Sequence, residues 1–204
     1  VERSRGLGDV YKRQAALELD WLDISRLSWS GLGLLKNTGI AKVLDKLIDD
    51  QACIEDAKIP LAIVAADLAS GERIVFKEGS LHTAVMASTA IPGIFAPVEV
   101  DGRFLVDGGL LENVPVRALR EIGAEHIIAV DLSAKEDFHP PRNLLDVMTS
   151  AISLSIRHTS RLHTENAVLT IEPDIAGISA VDVKEIPNLI KVGYVAMREA
   201  LLQL

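Results

Sequence analysis

Ile91-Pro-Gly-Ile-Phe-Ala-Pro-Val-Glu-Val-Asp-Gly-Arg-Phe-Leu-Val-Asp107-Gly-Gly-Leu-Leu-Glu-Asn-Val-Pro115 is the stretch around which the rest of the sequence is arranged. Within it an acid, Asp107, closes the short apolar run Phe104-Leu105-Val106, and Gly108 and Gly109 follow at once. Glycines let the backbone turn tightly and approach another group closely. Open α/β sheets place their chemistry at the carboxyl ends of strands. Taken by itself, however, Asp-Gly favours a plain strand-ending turn, so the neighbouring segments decide the reading.

Upstream, Ser80 can cap a helix that runs to Thr89 and is stopped by Pro92. Before it lie a short strand, Arg73 to Phe76, after the Ser70-Gly71 turn, and the continuous apolar run Leu61 to Asp67. That run is too short for a helix and has the character of a buried parallel strand. Ile40, Val43, Leu44, Leu47 and Ile48 are spaced as one face of an amphipathic helix, with Asn37 or Thr38 as its cap. Downstream, Asn113 and Pro115 open a helix closed by Gly123, and His126 to Asp131 follows as another buried strand. Leu144 to about His163 predicts a long helix ending in Arg157, His158, Arg161 and His163, cations suited to its C-terminal dipole. Val168 to Ile171 and Glu185 to Leu204 supply a last strand and a closing helix. The alternation of strands and helices predicts an α/β protein with a parallel sheet and covering helices.

With 204 residues, 49% of them hydrophobic, the chain can bury one sizeable core without disulfides or a metal. A net charge of −8 and the lack of a basic stripe argue against nucleic acid as partner. The single cysteine, Cys53, excludes an internal disulfide framework and fits a reducing compartment. No apolar run approaches the roughly 20 residues that cross a bilayer, and no signal-peptide pattern is visible at the start. Residues 1–14 lack apolar periodicity and carry a local basic excess. They resemble a translated assembly junction, a natural terminal extension being the alternative, which leaves 15–204 as one domain.

If the sheet is parallel, Asp67, Asp107 and Asp131 line one edge of it, and two such carboxylates could hold Mg²⁺ for phosphotransfer. Neither Asp67 nor Asp131 has the phosphate-cradling glycines or further oxygen ligands beside it that this chemistry needs. The five histidines show no metal-ligand spacing. No metal or cofactor is therefore expected.

Ala87-Ser-Thr-Ala-Ile-Pro-Gly-Ile-Phe-Ala-Pro97, Leu105-Val-Asp-Gly-Gly-Leu110, Asn113-Val-Pro115 and Gly123-Ala-Glu-His-Ile-Ile-Ala-Val-Asp131 together resemble the patatin-like phospholipase family. Within it the likeness is to bacterial members related to the neuropathy target esterase catalytic domain, and it runs from about Leu22 to the C-terminus. The resemblance implies a three-layer α/β/α fold with a mostly parallel central sheet. It also implies a serine hydrolase acting on lipid or acyl-ester substrates through a Ser–Asp dyad, without a cofactor. The nucleophile belongs to Gly-x-Ser-x-Gly, the oxyanion hole to a glycine-rich loop, and the acid to Asp-Gly-Gly, which places Asp107 as proton acceptor with Gly108 and Gly109 completing its motif. A cytoplasmic location with peripheral contact at the inner membrane goes with that reading.

The chemistry is intelligible from first principles. A serine hydroxyl needs a base within hydrogen-bond reach, and an aspartate with the ordinary pKa near 3.9 is a poor one at neutral pH unless its surroundings shield it. Yet no Gly-x-Ser-x-Gly occurs in the chain, and Ser28-Trp-Ser30-Gly-Leu-Gly33 has serine where the first glycine should stand. Ser88 is expected to shape the turn before Ala90-Ile91-Pro92, and Ser30 and Ser133 to cap or line loops. The expectation is thus a domain lacking its first strand, glycine loop and nucleophile helix, inactive as written and prone to associate through an uncovered edge. A non-catalytic acyl- or protein-binding module on the same fold is the second reading. Lipid access would fall to the loops Leu27 to Leu35 and Phe138 to Pro141.

Overall fold

The computed structural model describes residues 37–133, 140–178 and 183–202. Helix α1 (Thr38–Leu47) follows the predicted periodicity, burying Leu44. Asn37 stands at its N-cap position, but its side chain makes no cap and instead donates from Nδ2 to the Ala96 carbonyl at 2.7 Å, tying α1 to the Ile91–Pro97 turn. Strands β1 (Ile63–Asp67) and β2 (Arg73–Phe76) precede helix α2 (Leu81–Ser88), whose Ser80 cap accepts from the Thr83 amide as its sequence demands. Strands β3 (Val98–Val100) and β4 (Arg103–Asp107), the short helices α3 (Gly109–Glu112) and α4 (Val116–Glu121), strand β5 (Ile128–Val130), helix α5 (Leu144–Thr164), strand β6 (Leu169–Ile171) and helix α6 (Ile186–Leu201) complete the order.

Helices and strands alternate, so the fold is α/β as expected. The direction of the strands is not. Among the described residues, the larger sheet has the order β2-β1-β4-β3 and all three of its pairings are antiparallel; only β5 and β6 pair in parallel. For β1–β2 and β3–β4 the reason is local. Five residues join β1 to β2, and two join β3 to β4, whereas a parallel crossover needs a dozen or more. Asp101 and Gly102, at φ 50° and 75°, form the two-residue turn whose twist matches a hairpin. This Asp-Gly signal, between Val98-Glu-Val100 and Arg103-Phe-Leu105, is legible in the sequence.

Two other expectations change with it. Asp67 lies opposite Leu105 and Asp107 opposite Ala65, so these acids mark opposite ends of the β1–β4 pairing and do not line one edge with Asp131. His126 to Asp131 reads as a buried strand; Ile127, Ala129 and Asp131 are buried, while Ile128 and Val130 of β5 face outward.

The core around the large sheet gathers Ala65, Ala87 and Leu105 with Ile74, Phe76, Val98 and Val100; Ala90 and Phe95 extend it towards Ile40. A separate cluster, Val114, Val116, Ile127 and Ala129, joins α4 to β5. Helix α2 packs against β1 and β4, and α3 contacts both β1 and α5.

Candidate functional site

Asp107 ends β4 because the next two residues leave the sheet. Its amide donates to the Ala90 carbonyl at 3.0 Å, fixing it beside the turn that follows α2. Gly108 then presses onto β1. A Cβ placed there would fall 2.3 Å from the Val64 carbonyl oxygen and 2.6 Å from its carbon, a backbone contact that no side-chain rotation relieves. Glycine is therefore required for close approach, although its φ is an ordinary −66°.

Gly109 turns its amide back to donate to Asp107 Oδ1 at 2.7 Å. A Cβ on Gly109 would lie 3.0 Å from that oxygen, 3.2 Å from Asn113 Oδ1 and 3.7 Å from Ile156 Cδ1, so the Asp107 carboxylate, the Asn113 side chain and α5 converge on this one residue. Burial raises the half-buried Asp107 carboxyl above its ordinary value, and the Gly109 amide opposes that rise in part. A raised carboxyl is the direction a general base requires.

The turn is anchored at its far end by Glu112, whose side chain is fully buried. It accepts from Arg73 Nη1 of β2 at 2.7 Å and from the Arg117 amide of α4 at 2.7 Å. Arg73 also pairs with Glu121, whose carboxyl it holds low. A second polar line runs from Asn113, which donates to Ser160 Oγ of α5 at 2.9 Å; Ser133 Oγ stands 3.5 Å from Ser160 Oγ and donates to Asp131 Oδ1 at 2.6 Å. Sequence reasoning missed both arrangements. An acid inside Leu110-Leu111-Glu112 was a hint, since charge in an apolar run needs a partner. Its partner lies 39 residues away, a distance no spacing rule spans.

The remaining predicted positions are elsewhere. Asp67 is spent on its own turn, accepting from the Ala69 amide and Ser70 Oγ, which hold its carboxyl below the usual range. Asp131 likewise accepts from the Ser133 amide at 2.9 Å. Ser88 ends α2, half-buried, and Ser133 serves the Asp131 turn as a loop residue. Ser30, the loop Leu27 to Leu35 and Phe138-His139 lie outside the described residues. Among the described residues, no group of three or more His, Cys, Asp or Glu side chains could hold a metal ion, and the hydrogen bond to the Asp107 carboxylate comes from Gly109 rather than from a serine. A groove of about 440 Å³ between α6 and the segment after β6, lined by Glu172, Asp174, Lys191 and Glu199, shares no residue with this turn.

The ordered pieces around Asp107 match a known pattern over residues 7–120, more than half of the chain: that of the patatin-like phospholipases. The chain belongs to the patatin-like phospholipase family. An uncharacterized NTE family protein of Mycobacterium tuberculosis is 37% identical over 147 residues, covering 71% of this chain and 40% of the relative. A second from the same organism is 30% identical over 163 residues, with 68% and 28% covered. Patatin-like phospholipase domain-containing protein 7 of the mouse is 28% identical over 113 residues, 54% of this chain and 8% of that protein. The chain thus spans about two fifths or less of the length of these relatives. No helix among the described residues is long and apolar enough to cross a membrane.

Proposed function

We propose that this patatin-like domain is the acid-bearing part of a lipid acyl hydrolase in which Asp107 serves a serine as proton acceptor. In that reaction the serine oxygen attacks the ester carbonyl while its proton passes to Asp107, and the carboxyl returns the proton to the departing alcohol. Water, deprotonated by Asp107, then releases the acid from the acyl-serine, and the serine recovers its proton. The observation that carries the reading is the Asp107-Gly108-Gly109 turn: a carboxyl raised by burial, one amide aimed at it, and a glycine jammed against β1 that fixes where it stands.

The substrates would be phospholipids, lysophospholipids or simpler acyl esters, reached by peripheral contact with a membrane from the cytoplasm. Because Gly-x-Ser-x-Gly does not occur in the 204 residues, the chain as given is inactive in this reading. The test is hydrolysis of a short-chain nitrophenyl ester by this chain and by one extended with the coding sequence found upstream of residue 15 in long single reads of the source DNA. Activity in the extended protein that Asp107→Asn abolishes supports the proposal. Hydrolysis by the 204-residue chain itself, abolished by the same substitution, would overturn the inactivity and point to another serine.

A further inference from the structure

Helix α3 touches the large sheet at both of its ends. At the start, Gly108 rests on the Val64 carbonyl of β1; at the finish, Glu112 is held by Arg73, which reaches over β1 from β2. Arg73 lies opposite Ala66, one residue from Ala65, and Ala65 in turn faces Asp107. A buried carboxylate with no route to water is costly unless its oxygens are satisfied, and here Oε2 takes the guanidinium while Oε1 takes the Arg117 amide. The arginine's second branch goes to Glu121, so one side chain pins the end of α3 and the end of α4 to the same strand. Between the two anchors sits the Gly109 amide that addresses Asp107.

We propose that Arg73 and Glu112 form a clamp whose task is positional: it holds α3 down across β1 and thereby fixes the Gly109 amide and the Asp107 carboxylate in their mutual geometry. Neither residue touches the carboxylate. Both act through the backbone of residues 108–112, and the proposal rests on the reading of Asp107 as the base. Arginine suits the task because its planar fork serves two carboxylates at once, which a lysine cannot do with the same geometry.

Removing one partner alone strands a buried charge and risks unfolding, so the informative variant replaces both. Arg73→Met with Glu112→Leu keeps volume and removes both charges, an exchange that proteins commonly tolerate. Two readouts on the 204-residue chain decide the matter: the ¹³C-carboxyl titration of Asp107, recognised by its loss in Asp107→Asn, and the exchange rate of the Gly109 amide. In the folded double variant the Gly109 amide exchanges faster, by about tenfold. The Asp107 midpoint moves down towards the ordinary aspartate value as water reaches it. Asp67, held by its own turn, serves as the control and does not move.

A folded double variant with both readouts unchanged overturns the clamp, as does an equal displacement of Asp67. Should that variant fail to fold, Arg73→Lys is read the same way: faster Gly109 exchange supports the clamp, and unchanged exchange overturns it. Ester hydrolysis separates this inference from the one it rests on. If Asp107 is not the base, the titration and exchange still respond to the clamp, while Asp107→Asn leaves any hydrolysis of the extended protein intact. If the clamp alone is wrong, Asp107→Asn abolishes hydrolysis and the two readouts stay still.

Discussion

Leu105 and Val106, beside the candidate acid, are 1% and 0% exposed, whereas Ile128 and Val130 on β5 stand 46% and 47% exposed. The contrast extends beyond the strands. Around β1 and β4, apolar side chains pack against one another and against α2, and the buried charge of Glu112 finds Arg73 of the same sheet. The C-terminal elements instead leave Leu144, Leu154, Tyr194 and Leu202 exposed, and α5 buries only Ser160 completely. Burial drives folding in proportion to the apolar area removed from water, so Leu105 and Val106 contribute to stability in a way that Ile128 and Val130 do not.

Substitutions can break or sharpen that contrast. The largest effect is expected from Glu112→Ala, which empties the buried site and strips Arg73 of one partner: a loss of about 3 kcal/mol, or a melting temperature lower by about 6–12 °C. A chain that melts unchanged would show that the first region is not held together as described. Gly108→Ala comes next, at about 2 kcal/mol, because its Cβ meets the Val64 backbone rather than a movable side chain. Circular dichroism melts measure both.

Asp107→Asn works in the opposite direction. A carboxyl whose folded pKa is raised adds stability that is fully present in acid and is lost as pH rises through the folded pKa. At neutral pH the charged form therefore carries a cost that asparagine removes while still accepting from Gly109. The variant should melt higher than the parent at pH 7, and the gap should close by pH 3; a variant that melts lower at pH 7 contradicts the burial of this group.

Smaller effects belong to the C-terminal region. Gly193 of α6 has open space around it, so Gly193→Ala should gain about 0.5–1 kcal/mol by helix propensity, the reverse of the same change at Gly108. Replacing Ile128 and Val130 together by threonine should alter stability by no more than about 0.5 kcal/mol and reduce self-association in sedimentation. A large loss of stability there would mean that this face is covered.

Much of this molecule could be read in advance from residues a few positions apart. Ser80 capped the helix it was expected to cap, Arg73 to Phe76 formed a strand with those bounds, and the spacing of Ile40, Leu44 and Leu47 gave α1, because caps, turns and periodicity are local interactions written into adjacent residues. The Asp107-Gly108-Gly109 turn was equally legible as a candidate site. Only the tertiary structure decided that β1 pairs antiparallel with β4, that Gly108 serves to let α3 touch β1, and that Glu112 finds Arg73. The β1–β4 pairing, the Gly108 contact and the Glu112–Arg73 pair join residues far apart in sequence, where closure of the chain and the burial of whole elements decide between arrangements that the local pattern leaves equal.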